Sequence, residues 1–168
     1  MQAFRTIIAG MVCMLLSPYL WSQVIYKSAP KVDKRVVDKL ATLKYQYDVA
    51  EDGTIKFIYP ISKNNRSQTL YIRSVTDWYD QMEIREIYSV IYKSNKRPPE
   101  YMLAKVLFDN SRKKLGAWEL IYEDEQYHIL FNAKIRAEES PQNLKSVIEI
   151  VGAAADDMEK DLFIADNW

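Results

Sequence analysis

Few side chains in this sequence are of the types that carry chemistry, and their spacing decides what each can do. His128 is the single histidine among 168 residues. A hydrolase would need a nucleophile and an orienting carboxylate near it, and no G-x-S-x-G elbow is present. Strand alternation puts Leu130 and Asn132 on the same face as His128, so it reads as a structural or exposed imidazole on the sheet surface opposite the helices. Asp156, Asp157, Glu159 and Asp161 form an acidic stretch in which Asp157 and Asp161, four apart, share a helical face. Calcium sites draw ligands from loops with backbone carbonyls, so this stretch reads as a solvated helix face interrupted by Lys160. Glu123 and Glu125 sit in a hairpin turn, in water, where a glycosidase would need two carboxylates facing across a cleft. The glycines at 10, 53, 116 and 152 are scattered and build no phosphate loop. No catalytic residue, no metal ligand and no cofactor site is assigned.

The charge balance points the same way. There are 23 Lys+Arg and 23 Asp+Glu, whereas nucleic-acid binding needs a basic excess to neutralise phosphates. The cluster Arg112-Lys113-Lys114 has a local reason, since the last turn of a helix favours positive charge. No nucleic-acid partner is expected.

Residues 1–22 read as a signal peptide. Arg5 is a short positive start, residues 6–16 are an apolar run, Pro18 breaks it, and Ser22 offers a small residue for cleavage. The run is shorter than the roughly 20 apolar residues of a membrane span, so no stable membrane insertion is expected after cleavage. Tethering to the inner membrane through an uncleaved segment is the alternative. Removing residues 1–22, which hold Arg5 and no acidic residue, leaves 22 basic and 23 acidic side chains and no cysteine, because Cys13 goes too. An exported domain without disulfides must be held by its core, which suits a bacterial periplasm.

The rest is one domain, residues 32–168. Asp33 is a fair N-cap for a helix whose apolar stripe is Val36, Val37, Leu40 and Leu43. Three strands follow at 54–61, 68–75 and 83–93, separated by an Asn64-Asn65 turn and by a polar connection at 76–81. Pro98-Pro99 opens a second helix, with Leu103, Val106, Leu107 and Asn110 on one face. Strands at 117–122 and 126–137 flank the acidic turn. Ser140 caps the last helix, Pro141 is its first residue, and the stripe from Leu144 to Leu162 runs about five turns. Gly152 is expected there so that the helix can sit close on the sheet. The order α-β-β-β-α-β-β-α predicts an α+β two-layer domain, an antiparallel five-stranded sheet with helices on one face.

That order, with Leu103-Ala104-Lys105-Val106-Leu107-Phe108-Asp109-Asn110, Leu115-Gly116-Ala117-Trp118-Glu119-Leu120, Ser140-Pro141 and Ala153-Ala154-Ala155-Asp156, resembles the YbjN family over residues 32–163. The resemblance implies a fold similar to type III secretion chaperones and a non-enzymatic binding or regulatory protein. No functional residue is carried over from it. The residues themselves suggest where binding occurs. Helices cover one face of a sheet, which leaves Ile58, Tyr71, Ile87 and Ile91 as candidates for the other, a surface for a protein partner or a homodimer. The alternative is a small-molecule pocket between sheet and helices around Trp118 and Phe131.

Overall fold

The computed structural model describes residues 31–61 and 66–163. The expected signal segment at 1–22, the lead-in at 23–30 and the Asn64-Asn65 turn lie outside them. Asp33 caps α1 (Lys34–Thr42) as expected, its carboxylate accepting from the Arg35 N–H at 2.9 Å. Val36 and Leu40 carry the buried stripe of that helix. The strands that follow are β1 (Asp48–Val49), β2 (Ile55–Ile61), β3 (Arg66–Ile72), β4 (Asp77–Tyr79) and β5 (Met82–Ser94). Then come α2 (Glu100–Asn110), β6 (Ala117–Glu123), β7 (Gln126–Arg136) and α3 (Pro141–Phe163).

The domain is α+β, with an antiparallel sheet and three helices. The sheet has seven strands, not five, in the order β1-β2-β3-β5-β7-β6 with β4 paired to β5. The two additional strands are of two and three residues, too short for any alternation to appear in sequence. β4 lies in what reads as a polar connection and closes onto β5 by a hairpin in which Asp80 takes φ 53°. The β6–β7 hairpin turns on Asp124 and Glu125, with φ of 49° and 59°. Two successive residues at positive φ favour Asn-Gly, so this turn holds strain. Glu125→Gly should therefore stabilise the domain by about 1 kcal/mol, read as a higher urea midpoint at unchanged slope.

One core fills the space between the sheet and the helices. It joins Val36 and Leu40 of α1, Met102 and Val106 of α2, and Leu144, Val147, Ile148, Val151, Ala155, Met158 and Leu162 of α3. Against them lie Ile55 and Phe57 of β2, Leu70 and Ile72 of β3, Ile87 of β5, and Ile129, Phe131 and Ala133 of β7. The Ser140 hydroxyl accepts from the Asn143 N–H at 3.1 Å, so α3 begins where its signals put it. A Cβ on Gly152 would lie 2.8 Å from Tyr59 Cδ1, which explains the glycine as close approach of α3 to β2.

α2 corrects two expectations. Its buried residues are Met102 and Val106, while Leu107 is exposed. It also ends at Asn110, whose side chain accepts from the Trp118 N–H at 2.6 Å and donates to the Trp118 carbonyl at 3.3 Å. Arg112-Lys113-Lys114 therefore follow the helix instead of forming its last turn. Among the described residues, no helix is long and apolar enough to cross a membrane.

Candidate functional site

The side of the sheet away from the helices is concave. Two breaks in the strand ladder accompany that shape. β3 pairs with β5 only at Tyr71–Tyr88 and Ile72–Ile87, and β5 carries a register shift between Val90 and Tyr92 against β7. A bulge bends its strand and increases the local twist. The concavity has a volume of about 620 Å³ and is lined by residues of β3, β5, β6 and β7, within the usual range for small-molecule sites. Leu130, Val90, Ile121 and Thr69 contribute its less polar lining.

One end is polar and tightly bonded. Tyr71 and Tyr88 stack with ring centroids 5.0 Å apart and planes 15° apart. The Arg73 guanidinium lies 6.0 Å from the Tyr88 centroid and 3.3 Å from the Glu86 carboxylate. Burial raises the Tyr88 phenol above its ordinary pKa, with Arg73 opposing the shift. Lys134 reaches Glu119 at 3.4 Å and Glu86 at 3.5 Å. Glu119 foremost, then Glu86, raises the Lys134 pKa, so the ammonium stays charged. Asn132, only 5% exposed, donates through Nδ2 to Glu86 at 3.2 Å and to Glu119 at 3.3 Å. That arrangement fixes the amide, because a flip would put its oxygen against two carboxylates. Asn132 Oδ1 is then buried without a partner among the described residues, and so is His128 Nε2. Both residues line the concavity.

The structure treats the expected binding residues in two ways. Ile58, 67% exposed, and Tyr71 lie on the open face, with Ile58 opposite Thr69 and Tyr71 opposite Lys56. Ile87 and Ile91 do not join them. They are 0% and 8% exposed and belong to the core under the helices. The cause is visible in β5, whose helix-facing positions are Arg85, Ile87, Ser89 and Ile91. Polar residues at two of the four made this row look like the solvent side.

Both polar residues find partners on the core side, although Arg85 Nε is left without one among the described residues. Arg85, 1% exposed, donates to the Asp33 carboxylate and to the Arg73 carbonyl at 2.6 Å. Ser89 donates to the Thr69 carbonyl at 2.9 Å. Trp118 and Phe131 meet edge to face at 5.1 Å inside the core, with the Trp118 indole N–H donating to Asp109 at 2.7 Å.

The acidic stretch of α3 is also reassigned in part. Asp156 is buried and ion-paired to Arg66 and Lys160, and Glu159 accepts from Gln68 at 2.7 Å. These residues fasten α3 to β3; Asp157 is exposed, with its carboxylate 3.6 Å from Lys160. Among the described residues, no group of three or more His, Cys, Asp or Glu could hold a metal ion.

No family model, curated protein or solved structure matches the chain. Function therefore rests on the site itself. Sequence reasoning placed His128 and Asn132 on one face, but not the tyrosine pair or the carboxylates that complete the concavity. The available signal was parity: Tyr71 and Arg73, Glu86 and Tyr88, and His128 and Asn132 each alternate on one face of their strands.

Proposed function

We propose that this chain is an exported, non-enzymatic binding protein whose ligand seat is the concave open face of its sheet. The observation that carries this reading is Asn132, a buried side chain lining a cavity of about 620 Å³ with its carbonyl oxygen unpartnered among the described residues. Leaving a buried acceptor unbonded costs about 1–3 kcal/mol, and a ligand that donates to it recovers that cost. Glu86 and Glu119 are held in ion pairs with Arg73 and Lys134, an arrangement suited to binding more than to proton delivery. The resemblance to YbjN-like proteins supports the same class, and the N-terminal segment supports a periplasmic setting.

The alternative pocket around Trp118 and Phe131 loses its basis, since the two rings pack against each other. A protein partner, or a second copy of the chain, is supported instead around the short β4 strand, where Trp78 and Tyr79 are each exposed and Val75 just before it is exposed too. Native mass spectrometry of protein purified from its own envelope tests both readings. A bound small molecule that is lost in Asn132→Leu supports the sheet-face seat. A stoichiometric polypeptide lost in Trp78→Ser supports the β4 surface, and an apo monomer in every preparation overturns both.

A further inference from the structure

We infer that the concave face takes a neutral, polyhydroxylated ligand, a short saccharide; this rests on reading that face as the ligand seat. The charges beside Asn132 are already matched. Arg73 is paired with Glu86, and Lys134 is shared by Glu86 and Glu119. At the other end of the cavity Lys93 faces His128 across the β5–β7 ladder, and Glu123 completes the rim. An anion entering the seat would meet Glu86, Glu119 and Glu123. A cation would meet Arg73 and Lys93. Beside Asn132 either would be desolvated without an unmatched counter-charge, which costs several kcal/mol, and at the rim Lys93 and Glu123 present one charge of each sign, which favours neither.

A neutral ligand avoids that cost, and the orphaned atoms specify its polarity. Asn132 Oδ1 needs a donor, and His128 Nε2 offers a donor or an acceptor according to its tautomer. Hydroxyl groups fill both roles, each being donor and acceptor at once. The remaining lining suits the same chemistry. Asn132, Glu119 and Arg73 are planar polar groups that bind vicinal hydroxyls with two atoms, and the stacked Tyr71–Tyr88 pair supplies apolar surface for the C–H face of a sugar ring. A purely apolar ligand would leave Asn132 Oδ1 and His128 Nε2 unbonded, and a site built to hydrogen-bond strongly rejects such ligands.

The test is a side-chain NMR titration of the full-length protein with cellobiose, maltotriose and chitobiose. Citrate, spermidine and an acetylated tripeptide serve as charged and peptidic counter-probes. The expected result is saturable movement of the Asn132 amide and His128 ring signals with at least one saccharide at millimolar concentration or below. Asn132→Leu should weaken that binding about tenfold, the equivalent of one buried hydrogen bond. Tyr71→Ser, at a half-buried position, should weaken it as well, so the proposal stays testable if the first variant folds poorly. If a counter-probe moves these signals and no saccharide does, the ligand class is wrong while the seat stands. If no probe moves them, or saccharides move only signals elsewhere, the class and the seat both fall.

Discussion

Ile87→Arg should leave no folded protein. Ile87 is fully buried between β3 and β7, opposite Ile72 and Ala133. The substitution removes a packed aliphatic side chain, a loss of about 2–5 kcal/mol. It also forces an unpaired guanidinium into the core, at a further cost of several kcal/mol. Together these reach the whole stability of an ordinary domain, about 5–15 kcal/mol. Circular dichroism should show lost secondary structure at 25 °C, and the protein should be soluble only in denaturant. Tyr71→Asp is the matched control. It changes a half-buried position on the open face, so it should keep a cooperative thermal transition within a few degrees of the parent. A folded Ile87→Arg variant would mean that this row of β5 faces solvent, contrary to its burial.

Asp33→Asn should cost about 3–5 kcal/mol, the usual penalty for breaking a buried ion pair from one side. Asparagine is as good an N-cap as aspartate, so the loss isolates the charge that Asp33 presents to buried Arg85 and to Arg35. The same cluster sets the acid limb of stability. Hydrogen bonding from Arg35 foremost holds the Asp33 carboxyl well below the ordinary range. Arg35, then Thr76, lowers Glu83 to about 2. A carboxylate whose folded pKa is depressed stabilises the protein above its unfolded pKa, about 4, and loses that contribution as pH falls through the folded value. The melting temperature should therefore hold from neutral pH to about 5 and fall between about pH 4 and 2. In Asp33→Asn the curve should start lower and fall less steeply over that window. A parent curve flat to pH 2 would show that the cluster contributes nothing.

Local signals in the sequence located the helix starts well. Asp33 and Ser140-Pro141 are capping residues whose effect lies within one turn, so no tertiary knowledge is needed to read them. Gly152 was legible for the same reason, as a residue with no use in a helix except close approach. The faces of β2 were legible too, because Ile55 and Phe57 alternate with Lys56 under one ordinary rule. β5 defeated that rule. Arg85 is tolerated in the core only because Asp33, 52 residues away, meets it there, and such a partner leaves no trace in the local pattern.

The shift at Val90/Tyr92 then breaks the alternation, so Tyr92 packs on the core side with Ile91. The binding face was hidden for a related reason. Its residues come from four strands, and only pairing register brings Tyr71 to Tyr88 or Asn132 to Glu86 and Glu119. The α2 boundary was missed because Asn110 prefers a bond to the backbone of β6 over another helical turn.

The placement of α3 has a consequence for how the chain can be delivered. This helix is the last element among the described residues, yet it packs against β2, β3, β5 and β7. A polypeptide emerging from its N-terminus forward completes every strand before α3 can cover Ile72, Ile87 and Phe131, with only α1 and α2 on that face in the interval. Pairing between distant strands is slow, and a sheet waiting with part of its apolar side uncovered is prone to self-association. Threading through a membrane pore would lengthen that interval. On the export proposed above, a holding factor that shields this face until the 23 residues of α3 emerge would favour correct folding.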